Sequence, residues 1–424
     1  MQKEMKKQEY KWVILGVCFL MVFTCLGFGS GSNSLYLAAV SKALNVKRSL
    51  LSLKDTFRFI SSAAVSLFFG TLVYHLNIRR TASIGIGLLV AAMLVNARAE
   101  SVLGFYLGGL LLGAGFALST NTMASCIIRR WFEKDIGKYT GLVFSANGIG
   151  SAVVVNLITP MINREGDPFG YRDSYLLIAG MIAAAGVVVL LLLRNNPQKE
   201  FTPVVVKDIE KGRKLFWEGI RFEDALKCKF FYLAAIVVFV VGFMLQGING
   251  VYVANLTDIG FDVGFIAIVA SIFSLTLTFS KILVGVVYDK FGLRIVMLVC
   301  QIAAVVAFLI LAVLKASTTG KVFAIVFVVL YALSLPLETL VVPLIVSDIF
   351  GTVSYEKFLG LFIAINYAGY ALGSPAVNLC YDVFGSYRPI LILCGVLMMV
   401  ACVLFQWVIT DARRRKNELT SKAV

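Results

Sequence analysis

The chain has 424 residues, 59% of them hydrophobic, with 15% charged and a net charge of +15. Apolar blocks of about 20 residues recur along its whole length, enough to cross ~30 Å of hydrocarbon, which excludes a soluble globular protein. The runs do not alternate as barrel strands would, so the expected fold class is an all-α membrane protein with twelve transmembrane helices.

Four lysines, Lys3, Lys6, Lys7 and Lys11, precede helix 1, expected from about Trp12 to Val40. That run is too long for a cleavable signal peptide, so it reads as a span. Its far part, GFGSGSN (Gly27 to Asn33), includes Gly31; such small residues let a second backbone or a ligand approach closely. Helix 2 (about Leu50 to Tyr74) begins with Lys54 and Asp55 near the outer interface, where charge is cheap. Arg58 lies deeper, about 24 Å along the axis from Tyr74. Asp55 sits one turn back on the same face and can pair with it, leaving Arg58 either as half of a structural pair or in a direct substrate role, as an entry or gating residue.

Helix 3 spans about Ile78 to Ala97. Helix 4 (about Val102 to Ile128) carries GAGFALSTN, ending at Asn121, and helix 5 (about Gly137 to Ile162) carries FSANGIG with Asn147. Helix 6 (about Tyr171 to Arg194) is apolar and reads as scaffold. The apolar pattern stops over 195–229, which reads as a cytoplasmic linker between an N-terminal bundle, 1–194, and a C-terminal bundle, 230–424. The stretch Phe216 to Phe222 is mildly amphipathic and is expected on the membrane surface.

Helix 7 (about Phe230 to Leu256) carries Gln246. Helix 8 (about Val263 to Tyr288) holds one cation, Lys281, inside its apolar run. A charge there is costly in hydrocarbon unless it has a use. The chain leaves helix 8 through Gly285, Asp289, Lys290, Gly292 and Arg294, expected to form a tight charged turn at the membrane surface. Helix 9 (about Leu293 to Lys315) and helix 10 (about Lys321 to Ser347) follow; helix 10 contains Pro336, Glu338 and Pro343, and its two prolines interrupt the hydrogen-bond ladder. Helix 11 (about Phe358 to Asp382) carries Asn366, and helix 12 (about Tyr387 to Thr410) ends in a basic tail.

Twelve spans put both termini on one side, which carries about 27 Lys and Arg against about 10 opposite, so both termini are expected in the cytoplasm. The basic excess therefore belongs to loops and implies no nucleic-acid partner. The eight Cys lie mostly in apolar runs without a CxxC pair, and His75 is the single histidine. They predict no disulfide frame, metal site, cofactor or catalytic centre, and hence no enzyme.

Two pairs of positions share one offset. Gly70 and Gly285 are followed equally by Arg79 and Arg294, and Phe169-Gly170 matches Phe384-Gly385. The halves are therefore read as related and parallel.

At this point the chain resembles the major facilitator superfamily. GVVYDKFGLR, Gly285 to Arg294, is similar to the family signature between helices 8 and 9. Its counterpart GTLVYHLNIRR, Gly70 to Arg80, has Tyr74 in place of an acid and Asn77 in place of a glycine. RRWFEKDIGKYTG, FGYRDSY and SDIFGT resemble the oxalate/formate exchanger and monocarboxylate transporter group. The resemblance implies two pseudo-symmetric six-helix bundles and places that group's helix 8 cation on Lys281. The second cation of the oxalate exchanger falls on Asn366, and its aromatic cage on Gly31, Asn121 and Asn147. A larger, more polar pocket with one cation argues against oxalate and for a single carboxylate. The acid of animal monocarboxylate carriers falls on Leu277, so that coupling pair is absent.

At 1.5 Å per residue, Lys281, Glu338, Asn366, Asn147 and Asn121 all lie about 12–15 Å from the cytoplasmic ends of their helices, near mid-depth. The expected function is a secondary active transporter of a small organic anion, a monocarboxylate or hydroxylated acid, across the cytoplasmic membrane. It would work by alternating access, as antiport or proton symport. Lys281 would bind the carboxylate; Asn121, Asn147, Asn366 and Gln246 would orient the rest; Glu338 would partner Lys281 or carry a proton. Protons or a counter-anion and membrane lipid are the other expected partners, and the protein is expected to be a monomer. The alternatives are a carrier of a neutral polar solute or drug, and a transport-dead nutrient sensor.

Overall fold

The computed structural model describes residues 2–31, 33–46, 48–132, 134–162, 164, 167, 169–194 and 219–421. The expected linker lies outside the described residues over 195–218. Ten helices among the described residues are long and apolar enough to cross a membrane. One of them, Gly264–Val313, is broken at Gly292 and supplies helices 8 and 9. Arg48–Leu67 is also long enough, but Arg48, Lys54, Asp55 and Arg58 dilute its apolar character; it forms helix 2. The architecture is thus all-α, with twelve helices in two six-helix halves.

Two compact units result. The first comprises Met1–Asn195 with Leu277–Val286; the second comprises Asn196–Thr276 with Val287–Val424. Helix 1 includes a π-helical stretch, Val22–Phe28. Within it Gly27 lies so close to Gly150 of helix 5 that a side chain on either would strike backbone. The small residues predicted for close approach are therefore used to pack helix 1 on helix 5. In the second unit Gly242 of helix 7, at the same offset, packs against Asn366 of helix 11.

The internal repeat extends to backbone breaks. The helix Phe69–Arg98, which completes helix 2 and forms helix 3, is non-helical only at Asn77, with φ 66° and ψ 158°. Gly292 divides helices 8 and 9 with φ 78° and ψ 176°. These angles fall in a region essentially restricted to glycine. The signature stretch is therefore not the loop the sequence suggested: helix continues through Asp289 and Lys290, and one residue makes the break. Arg294 then donates from Nε to Gln406 of helix 12 at 3.0 Å.

Helix 4 breaks at Thr120 (φ −126°, ψ −133°), between Val102–Ser119 and Asn121–Trp131. Helix 10 breaks at the matching place, where Thr318–Ser334 ends and Pro336 opens the turn Pro336–Thr339. Pro160 in helix 5 and Pro375 in helix 11 also correspond. Proline removes an amide donor and keeps its φ fixed, so it recurs where a helix must bend.

Helix 10 ends in a π-helical turn, Val346–Phe350, followed by Gly351 at φ 78°. Gly219 forms an antiparallel bridge with Gly351, and the Ile220 amide donates to the Phe350 carbonyl at 2.9 Å. Phe222 stacks obliquely on Phe358, centroids 5.1 Å apart. The described end of the amphipathic stretch is thus pinned to the ends of helices 10 and 11. Its remainder, 216–218, lies outside the described residues.

Candidate functional site

In the first unit, Lys281 is 4% exposed, and its Nζ donates to the Phe144 carbonyl of helix 5 at 3.3 Å. Glycines on helix 5 make this approach possible: Gly137 lies against Gly285, Gly141 against the Lys281 backbone and Gly148 against Thr278. The carbonyl dipole offsets part of the cost of burying the ammonium. Asn147, half-buried, sits one turn beyond Phe144 and accepts a long bond from Ser151 at 3.5 Å. Ser151 also donates to the Gly27 carbonyl at 3.3 Å and abuts Gly31. Gly31 is therefore in the contact between helices 1 and 5. Asn121 opens the second segment of helix 4 directly after the break, and its Oδ1 is buried without a hydrogen bond among the described residues.

Arg58 pairs with Asp55 at 3.3 Å, as the one-turn spacing predicts. Its guanidinium stands over Phe59, at 4.6 Å, and faces Phe116 of helix 4 at 5.9 Å. Its Nε is buried without a hydrogen bond among the described residues. Lys54 departs from the expectation of cheap interfacial charge: it is 6% exposed and donates to the Tyr175 hydroxyl at 3.3 Å. Tyr175 stacks on Tyr36, centroids 3.8 Å apart, and Ser174 donates to the Tyr36 hydroxyl at 3.0 Å. Helix 6, expected to be scaffold, thus contributes a polar cluster. Lys54 and Tyr175 are 121 residues apart, so no local spacing announces the contact.

In the second unit, Glu338 is 7% exposed and Asn366 2% exposed. Asn366 Nδ2 donates to the Glu338 carbonyl at 2.7 Å and to the Tyr370 hydroxyl at 3.0 Å, while Tyr370 donates to the same carbonyl at 3.1 Å. Helix 11 therefore clasps the broken part of helix 10 through backbone. This leaves Asn366 Oδ1 buried without a hydrogen bond among the described residues. Gln246 is half-buried on helix 7, and the Tyr331 hydroxyl donates to the adjacent Leu245 carbonyl at 2.6 Å. Of the signature residues, Gly285 is buried while Lys290 and Arg294 are exposed.

Two buried polar sets thus stand near the middles of their helices. One is built on Lys281, Asn147 and Asn121; the other on Glu338, Asn366 and Tyr370. Sequence reasoning missed Tyr370 and Tyr175 because an aromatic residue in an apolar run gives no sign of where its hydroxyl points.

Residues 17–248 and 234–423 match the family model described as Major Facilitator Superfamily. The chain is 24% identical over 418 residues to the uncharacterized MFS-type transporter YcxA of Bacillus subtilis (strain 168), covering 96% of this chain and 97% of that protein. It is 23% identical to human monocarboxylate transporter 12, over 81% of this chain and 70% of that one. Among solved structures, the proton:xylose symporter XylE aligns with a TM-score of 0.74 at 14% identity, covering 95% and 96% of the two chains. The human organic anion transporter MFSD10 aligns with a TM-score of 0.66 at 14% identity, covering 93% and 99%.

Proposed function

Because this chain belongs to the Major Facilitator Superfamily, whose members are transporters, we propose that it carries a small organic anion, a monocarboxylate or hydroxylated acid. Transport would run by alternating access, as antiport or proton symport, across the cytoplasmic membrane with both termini inside. The observation that carries the reading is Lys281, a cation 4% exposed in mid-helix that donates to the Phe144 carbonyl at 3.3 Å. An ammonium kept in so dry a place is functional by default in a membrane, and a carboxylate gives it a charge-assisted bond. Asn147 and Asn121 orient the substrate beside it, with Gln246 and the remaining acceptor of Asn366 serving the second unit. Arg58 gates from helix 2, and Glu338 carries the proton. The similarity to monocarboxylate transporters supports the choice of an anion.

The test is uptake of labelled lactate and related hydroxy acids by proteoliposomes. Lys281→Gln abolishes uptake while the protein still reconstitutes; Lys281→Arg retains a measurable part. If Lys281→Gln transports at the wild-type rate, the amine has a structural role, and the carrier of a neutral polar solute replaces this reading.

A further inference from the structure

At the end of the second unit remote from the C-terminus, the last turns of helices 7 and 9 and the start of helix 12 enclose a cleft of about 460 Å³. That volume lies within the ~300–1,000 Å³ of ordinary ligand pockets. Leu311, Leu314 and Leu391 form its apolar walls; Lys315 and Arg388 bring two positive charges, and Asn255 completes it.

Three features point to an anionic occupant. Asn255 is 8% exposed, yet its Nδ2 donates to nothing among the described residues. An amide donor shut from water needs an acceptor, and the space it lines is where one can sit. Lys315 and Arg388 form no ion pair among the described residues. The nearby carboxylates Asp258 and Asp382 act on the stacked phenols Tyr381 and Tyr387 and do not line the cleft. Finally, Arg388 opens a helix that runs to Ser421, its amide taken by Ser386 Oγ at 3.2 Å. The partial positive charge of that helix start adds to the two side chains.

The surface beside the cleft says which anion. Val306, Leu309 and Val313 follow one face of helix 9, and Ile392 and Val396 one face of helix 12, all exposed. In a membrane protein such a stripe faces acyl chains, not water. We propose that the cleft holds the headgroup phosphate of an anionic phospholipid, with its acyl chains along the stripe of helices 9 and 12. A phosphate oxygen accepts from Asn255 Nδ2, and Lys315 and Arg388 neutralise the phosphate charge.

The test is native mass spectrometry of the full chain in detergent, titrated with phosphatidylglycerol or phosphatidylcholine. The wild type retains phosphatidylglycerol several-fold better. Each basic residue contributes about fivefold, so Lys315→Gln with Arg388→Gln lowers retention about 25-fold, and Arg388→Lys restores most of the loss. Equal retention by the double variant overturns the proposal. So does competition by inorganic phosphate as effective as that by the lipid, which would make this a site for a small free anion. A measurement on the wild type alone guards against misfolded variants. Photoreactive phosphatidylglycerol should cross-link within 306–315 and 386–396, and labelling confined to other helices also overturns the assignment.

Discussion

Asn77 and Gly292 hold nearly the same backbone angles at matching places in the two halves, φ 66° with ψ 158° and φ 78° with ψ 176°. Only the second position carries a residue that reaches those angles without strain. The contrast recurs inside the helices. Ser151 of helix 5 and Asn366 of helix 11 occupy matching positions, and each bonds a partner helix. Ser151 reaches the Gly27 carbonyl at 3.3 Å, whereas Asn366 bridges Glu338 and Tyr370 at 2.7 and 3.0 Å. Backbone geometry has thus stayed common to the halves while side-chain chemistry has diverged. The first half places two cations, Lys54 and Arg58, near the phenols Tyr36 and Tyr175 and the ring of Phe116. The second half joins an acid, an amide and a phenol, Glu338, Asn366 and Tyr370.

Four substitutions test this contrast, each read as unfolding free energy in mixed micelles. Gly292→Ala has the largest effect: its Cβ would meet open space, so the loss of about 1–3 kcal/mol is backbone strain alone. An unchanged stability would show that the break at 292 does not need glycine. Asn366→Ala follows, with a loss of about 1–2 kcal/mol from one bond to helix 10 and one to Tyr370 on its own helix. Asn77→Gly should raise stability by about 1 kcal/mol, since it relieves strain where Gly292→Ala creates it. A decrease would mean that the asparagine side chain stabilises the break. Smallest is Ser151→Ala, at about 0.5 kcal/mol, because one long bond is lost. If Ser151→Ala costs as much as Asn366→Ala, the halves have not diverged in the way these bonds indicate.

Hydrophobic run length and glycine spacing made the helices and the two related halves readable from the sequence. The burial of Lys281 was equally visible, because a lone cation falls in the middle of an apolar run. The prolines of helix 10 foretold its interruption, and the break indeed falls at Leu335 and Pro336. What stayed hidden depends on contacts between distant segments. The burial of Lys54 follows from Tyr175, 121 positions away. The use of Asn366 to hold helix 10 follows from where Tyr370 and the Glu338 carbonyl arrive in space. The conformation of Asn77 was signalled by the position it shares with Gly292, but the residue itself argued against it.

The small bridge between Gly219 and Gly351 has a mechanical consequence. The chain that enters helix 7 is knotted at Gly219 and Ile220 to the end of helix 10, so strain at either strand of the knot is felt by the other. Replacing Gly219 or Gly351, whose φ angles of 124° and 78° no side chain readily accepts, would undo the knot.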